Sequence, residues 1–235
     1  ICEVETDNGE LEKAEIVGFK NGNNCLSLFQ TGAQVKSGSK VYLLDEGYSI
    51  SVGQNLLGRV IDALGNSLDG IENPLLTEKW PLNGIQLNPM LRQNVSEPLD
   101  VGIRGINGLL TVGKGQRIGI IAGSGVGKSV LLGMMSKNTD ADVIVVGLIG
   151  ERGREVGKFV SEILTSESKN RTVVVAVPAD RSPLLRIRGA NRATAIAEFF
   201  RSLGKNVLLI MDSLTRVAHA RREIGLALGE QPTAK

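Results

Sequence analysis

The feature that most constrains the fold is a series of four short apolar runs that alternate with helical segments in the second half of the chain. Runs that are apolar almost throughout are typical of strands buried on both faces of a parallel sheet. Between the second and third runs, Val156, Val160 and Ile163 recur at helical spacing. This alternation predicts an α/β fold with a mainly parallel sheet. The runs cover residues 117–122, 143–149, 172–177 and 207–211.

The N-terminal part of the chain has a different pattern. Short β-like runs at 15–19, 25–29 and 40–44 are separated by glycine and asparagine, which predicts a small β-barrel or sheet. We therefore expect a β-barrel domain over residues 1–51 and the α/β core over 52–235. Proline-rich residues within that core, before the first apolar run, are expected to be ordered coil with a short strand at 57–61.

Composition and charge exclude several classes of protein. Apolar residues make up 42% of the chain and charged residues 22%, which excludes a disordered chain. The net charge of +2 does not demand a nucleic-acid partner, although residues 150–235 hold 15 basic against 9 acidic residues. The longest apolar runs are far shorter than the ~18 residues that span a bilayer. Two cysteines and one histidine cannot complete a four-ligand zinc site.

A glycine-rich segment joins the first apolar run to the first helical segment. It matches the P-loop pattern GxxxxGK[ST], except that Ala122 stands at the first glycine. Its glycines allow backbone N–H groups to surround phosphates, while Lys128 would reach the β- and γ-phosphates of ATP and Ser129 would bind Mg²⁺. The alternative is a glycine-rich turn with a surface lysine. The residues expected to contact the nucleotide are Ala122, Gly123, Ser124, Gly125, Val126, Gly127, Lys128, Ser129 and Val130.

Acidic residues follow two of the other runs. Asp212 closes the fourth run, where a carboxylate can hold Mg²⁺ or its water; alternatively, it is the N-cap of the next helix. Glu151 follows the second run and is a candidate to polarise the attacking water. We prefer it to Glu155, which we expect in a first helical turn, where it would stabilise the helix dipole.

Further charged residues near these ends have competing interpretations. Asp180 follows the third run, where it would sense the γ-phosphate through water or simply form a turn. Arg154 would either act on the nucleotide, or lie at the surface as a solvated charge or in a subunit contact. Several arginines of the last two helices are predicted to lie on solvated helix faces, namely Arg186, Arg188, Arg192, Arg201, Arg216, Arg221 and Arg222.

At this point the motifs resemble a known family. AGSGVGKS, LIGERGREV, VLLIMDSLTR and AHARREIGLALGEQP are similar to segments of the flagellar and type III secretion export ATPases, which are relatives of the catalytic subunits of rotary ATP synthases. The resemblance covers roughly the whole chain, and GERGREV at this spacing makes it specific. REIGLALGE and SPLLRIRGA favour the flagellar branch.

The resemblance implies a RecA-like P-loop NTPase core between an N-terminal β-barrel and a C-terminal helical domain, assembled as a homohexamer. It implies that Glu151 is the catalytic acid, that Arg152 lies near the γ-phosphate, and that Lys128, Ser129 and Asp212 act as described above. ATP hydrolysis with Mg²⁺ would drive export of unfolded proteins. The implied location is the cytoplasmic face of the bacterial membrane.

Four kinds of partner are also implied: coiled-coil stalk and regulator proteins, an export gate in the membrane, export substrates, and their chaperones. The family continues beyond Lys235 into its arginine finger and adenine pocket, and we expect the start of the barrel to be absent as well. We therefore expect this chain alone to be monomeric and nearly inactive.

Two other functions are considered. A non-catalytic nucleotide-binding ring subunit would lack the acid after the second run, and Glu151 argues against it. An RNA translocase needs aromatic residues and a basic groove in its N-terminal domain. Residues 1–50 hold four lysines against eight acidic residues, so no nucleic-acid partner is expected.

Overall fold

The computed structural model describes residues 1–44, 47–123, 125–163 and 166–232. The strands are β1 (Cys2–Glu5), β2 (Leu11–Lys20), β3 (Asn23–Leu28), β4 (Val41–Leu43), β5 (Ser49–Val52), β6 (Val60–Ile61), β7 (Glu78–Pro81), β8 (Val143–Ile149), β9 (Thr172–Val177) and β10 (Val207–Asp212). The α-helices are α1 (Arg104–Leu109), α2 (Lys128–Asn138), α3 (Gly153–Ile163), α4 (Ser166–Lys169), α5 (Pro183–Ser202) and α6 (Leu214–Leu228).

The central sheet is parallel and has the order β10-β8-β9-β6. Every residue of β8 and β9 is buried, because α5 packs on one face of the sheet and α2 and α3 pack on the other. The predicted α/β class is confirmed. Three of the four apolar runs are strands within one residue of their predicted bounds.

Helix α5 packs closely against one face of the central sheet. Ser182 accepts a hydrogen bond from the Leu185 N–H at its start, and Pro183 occupies its first position. A Cβ on Gly189 would lie 2.3 Å from Val177 Cγ2, so the glycine allows the helix backbone to approach β9. The Phe199 ring lies 5.9 Å from Trp80, which attaches β7 to the same core.

The N-terminal strands form an antiparallel sheet with the order β3-β2-β1-β4, while β5 and β7 form a separate ribbon. The four-stranded sheet contacts the core through Arg188, which donates to Glu15 Oε2 at 3.2 Å and to the Gly47 carbonyl at 3.3 Å. Gly18 of β2 also lies against the Leu228 side chain of α6. The division at residue 51 stays a prediction.

The prediction that Arg188 and Arg192 lie on solvated faces is wrong, since each is only 6% exposed. Arg188 is covered by the N-terminal sheet. Arg192 donates to the Ala63 and Leu64 carbonyls, and burial is the main cause that lowers its pKa to about 10. Both side chains therefore join α5 to segments more than a hundred residues earlier in the chain.

The prediction of a strand at 117–122 is also wrong. These residues form no strand, and Ile121 is 99% exposed. A strand needs a backbone partner as well as apolar side chains. Within the described ranges, β10 pairs only with β8 and keeps its other edge free. None of the helices described has the length and apolar content needed to cross a bilayer.

The Arg59–Asp69 ion pair predicts a pH-dependent contribution to stability. Asp69 accepts two hydrogen bonds from Arg59, at 2.8 and 3.0 Å. These bonds are the largest cause that lowers the pKa of the carboxyl from 3.8 to about 2. Because the folded pKa is depressed, the stabilisation is present above pH ~4 and disappears as pH falls towards 2. Replacing Asp69 by asparagine is expected to remove about 2 kcal/mol of this pH-dependent unfolding free energy.

Urea unfolding of the parent and of Asp69→Asn at several pH values between 7 and 2 tests this expectation. The difference in unfolding free energy between the two proteins should shrink through the window from pH 4 to pH 2. The Glu97–Lys114 pair at 2.9 Å is exposed, so Glu97→Gln is a control that should change little. A difference that stays constant with pH would contradict the assignment.

Candidate active site

The carboxyl ends of the parallel strands meet at one edge of the sheet, and backbone hydrogen bonds connect the segments that leave them. Glu151 and Asp212 are thereby brought to the same edge, where ligands bind in open α/β sheets. The bonds run from Gly150 N–H to Val177 O at 2.7 Å, from Ala179 N–H to Glu151 O at 3.0 Å and from Ser213 N–H to Ile149 O at 3.3 Å.

The glycine-rich loop enters α2 at this edge. Gly125 and Gly127 have φ values of +80° and +96°, a left-handed conformation that glycine adopts without steric cost. A Cβ on Gly123, Gly125 or Gly127 would have no atom within 4 Å, and the described loop residues are exposed. Backbone N–H groups of a glycine-rich loop that precedes a helix N-terminus can bind an anion. Ser124 lies outside the described residues.

Lys128 and Asp212 form an ion pair across the site. The Lys128 Nζ donates to Asp212 Oδ1. The Asp212 side chain is 4% exposed and the Lys128 side chain is 27% exposed, so the lysine remains reachable from solvent while the carboxylate is enclosed. Asp212 is not the helix N-cap, a position that Ser213 occupies before α6.

Glu151 has an altered acidity. Burial raises the pKa of its carboxyl above 4.5, and the nearby charge of Asp212 raises it further. Lys128 and Arg216 act in the opposite direction. A carboxyl whose pKa is raised is better suited to accept a proton than an ordinary glutamate.

The sequence prediction missed the position of Arg216. Its side chain lies over Gly150, where an added Cβ would be 2.8 Å from Arg216 Cβ and 2.9 Å from Arg216 Cγ. The prediction that Arg216 lies on a solvated helix face is confirmed, since the residue is exposed. Gly150 in addition allows this arginine of α6 to lie near Glu151. Arg216 lies in the first turn of α6, four residues after Asp212, and this spacing does not by itself predict the contact.

The other candidate residues lie at the starts of α2 and α3. Arg152 is 69% exposed and forms an ion pair with Glu155 at 3.7 Å, so it points along α3 at the surface. Ser129 lies in the first turn of α2, and Val126 and Val130 are exposed beside it. The roles of Arg152, Ser129 and the loop residues therefore stay predictions.

The groups at this edge of the sheet suit a ligand that combines phosphate with a metal ion. Backbone amides at a helix N-terminus, together with an ammonium group, bind polyphosphate anions. A hydroxyl such as that of Ser129 and a carboxylate such as that of Asp212 are oxygen ligands that Mg²⁺ accepts. The raised pKa of Glu151 adds a group able to accept a proton from water at the same edge.

Comparison with known proteins agrees with this chemistry. Residues 102–235 match the ATP synthase alpha/beta family, nucleotide-binding domain. The flagellum-specific ATP synthase of Pseudomonas aeruginosa is 55% identical over 224 residues, which cover 95% of this chain and 49% of that protein. The protein of the same name from Salmonella typhimurium is 50% identical, covering 100% and 54%. The chain thus spans about half the length of the curated relatives it matches.

Solved structures show the same similarity in three dimensions. The assembled ATPase EscN from the type III secretion system of enteropathogenic E. coli superposes with a TM-score of 0.90 at 42% identity, covering 100% of this chain and 56% of that one. EscN in complex with its central stalk EscO gives a TM-score of 0.88 at 42% identity, with 57% of that chain covered.

Proposed function

The chain belongs to the ATP synthase alpha/beta family, within the flagellar and type III secretion export ATPases, and from that premise we propose that it is the nucleotide-binding part of an ATPase that energises protein export. The proposed substrate is ATP and the proposed metal is Mg²⁺. The flagellar branch is favoured, because the named relatives above at 50% and 55% identity are flagellum-specific proteins.

The observation that carries this proposal is the meeting of Lys128, Asp212 and Glu151 at one edge of the sheet. Lys128 and the amides of residues 123–129 would hold the phosphates. Ser129 and Asp212 would hold Mg²⁺, which neutralises phosphate charge when bound. Glu151 would orient the attacking water and accept its proton, and Arg152 would move from Glu155 towards the γ-phosphate.

Partners follow from the relatives. EscN is an assembled ATPase and is seen with the central stalk EscO. We propose that the protein to which this chain belongs likewise assembles as a homohexamer and binds a coiled-coil stalk. Regulator proteins, an export gate, substrates and chaperones are proposed as further partners, and the proposed location is the cytoplasmic side of the bacterial inner membrane.

Calorimetric titration of the chain with ATP in excess Mg²⁺ tests the proposed site. We expect saturable binding of one nucleotide, and we expect Gly127→Val to abolish it, because Gly127 has a φ of +96° that a β-branched residue does not adopt. Gly204→Val is a matched control, because Gly204 also has a positive φ, +78°, but lies in the turn after α5 and outside the glycine-rich loop. It should retain ATP binding. If both variants lost ATP binding equally, the loss would reflect a folding defect and not the glycine-rich loop, and this result would count against the proposed site.

Two other outcomes favour different functions. ATP retained for hours without phosphate release in the assembled full-length protein would support a non-catalytic ring subunit. Tight RNA binding with a steep salt dependence would support a translocase. We expect neither result, because Glu151 lies at the site and the first 50 residues are acidic.

A further inference from the structure

The N-terminal sheet contacts the start of α5 through one buried arginine. Arg188 lies in the second turn of that helix, and its guanidinium donates to Glu15 of β2 and to the Gly47 carbonyl. The centroid of the Phe29 ring, just after β3, is 6.0 Å from the Arg188 Cζ, within reach of a cation–π contact. Arg188 therefore joins α5 to three separate segments of the N-terminal part of the chain.

The same part of the chain also contacts the turn that precedes α5. Thr31 follows Phe29 by two residues and donates from Oγ1 to the Asp180 carbonyl at 3.4 Å. The neighbouring Ala179 donates from its N–H to the Glu151 carbonyl at 3.0 Å. The turn thus has the N-terminal sheet on one side and the backbone of the proposed catalytic acid on the other.

This turn is short and is fixed at both ends. Val177, the last residue of β9, is 2% exposed, and Ser182 is the N-cap of α5. Only residues 178–181 lie between them, so a shift of the start of α5 has to be taken up by Ala179 and its neighbours. A displacement of about 1 Å at a reacting group can cost about 100-fold in rate.

We propose that Arg188 is a positioning residue for Glu151: by holding the N-terminal sheet against α5, it fixes the turn whose Ala179 N–H holds the Glu151 backbone. This inference rests on the proposed function of the site. The proposed phosphate contacts come from the glycine-rich loop and α2, which packs on the opposite face of the sheet from α5. The role therefore concerns the rate of hydrolysis and not the affinity for nucleotide.

Steady-state hydrolysis of ATP in Mg²⁺ by the full-length protein and its Arg188→Ala variant tests this role. We expect kcat to fall about tenfold, a usual size for coupling through a network of contacts, while KM changes by less than about threefold. Hydrogen exchange at the Ala179 amide gives a readout that needs no hydrolysis. This amide should exchange about tenfold faster in the variant, because its bond to Glu151 opens more often. Arg201→Ala, in the last turn of α5, is the matched control and should alter neither property.

Glu15→Ala shows whether Arg188 acts through the N-terminal sheet. The Glu15 side chain is 34% exposed, so this variant carries the same test if Arg188→Ala fails to fold. We expect it to lower kcat about threefold and to quicken exchange at Ala179. The double variant should lose no more activity than Arg188→Ala alone, because both substitutions remove the same contact.

Three results would each overturn the positioning role: losses of activity that multiply in the double variant, a KM that rises as much as kcat falls, or unchanged exchange at Ala179 in Arg188→Ala. Absence of hydrolysis by the parent would instead overturn the proposed function. Exchange at Ala179 would then still decide whether Arg188 holds the turn.

Discussion

Replacing Glu151 by glutamine in the full-length protein is expected to lower the rate of ATP hydrolysis by about 10²–10⁴-fold, the usual contribution of a positioned acid–base group. Glutamine has nearly the same shape but cannot accept a proton from the attacking water. Because Lys128 and the glycine-rich loop are unchanged, binding of ATP in Mg²⁺ should remain close to that of the parent. Steady-state phosphate release and calorimetric binding measure the two effects separately.

The acidity of Glu151 adds a second readout to the same experiment. Burial and the nearby Asp212 raise its pKa above 4.5, so the ionised form required for catalysis is lost at a higher pH than for an exposed glutamate. Hydrolysis by the parent should fall on the acid side of the profile as pH drops through this raised value, and the residual activity of Glu151→Gln should lack that step.

Glu155→Gln distinguishes the two acids that follow β8. Glu155 is in the first turn of α3 and forms a surface ion pair with Arg152, so its loss is expected to change hydrolysis by less than threefold. If Glu151→Gln were as active as the parent, or if Glu155→Gln were the inactive variant, the assignment of the catalytic acid would be wrong.

Much of the core was predictable because its signal is local. The runs at 143–149 and 172–177 are apolar at every position or nearly so and are rich in valine and isoleucine, and this pattern at that length favours a strand buried on both faces. The ends of such strands meet at one edge, so Glu151 and Asp212 could be assigned to one site before any contact was known. Ser182 and Pro183 likewise identified the start of α5.

The incorrect predictions concern properties that depend on distant partners. Residues 117–122 are apolar enough for a strand, yet a strand also needs a neighbouring strand as backbone partner, and these residues pair with none. Arg188 is buried because Glu15 and Gly47, more than 140 residues earlier, lie against it. The exposure predicted for Arg216 is correct, but its place over Gly150 was not predicted and is possible because glycine has no side chain. No pattern within one helix or strand reports these contacts.

Lys128→Ala is expected to affect both nucleotide binding and stability. Loss of its charged hydrogen bonds to phosphate should weaken binding of ATP in Mg²⁺ by about 100-fold. The same substitution leaves the Asp212 carboxylate enclosed without its cation. We expect this to lower the free energy of unfolding by about 2 kcal/mol, less than for a fully buried pair, because the Lys128 side chain is 27% exposed.

The double variant Lys128→Ala/Asp212→Asn separates the two roles of the lysine. Without the carboxylate charge, no enclosed ion is left unpaired, so urea unfolding should show most of the lost stability restored. Binding of ATP should stay weak, because the ammonium that contacts phosphate is still absent. Lys137→Ala, in the last turn of the same helix, is the control and should alter neither property appreciably. Recovery of ATP binding in the double variant would mean that Lys128 acts on Asp212 alone and never on the nucleotide.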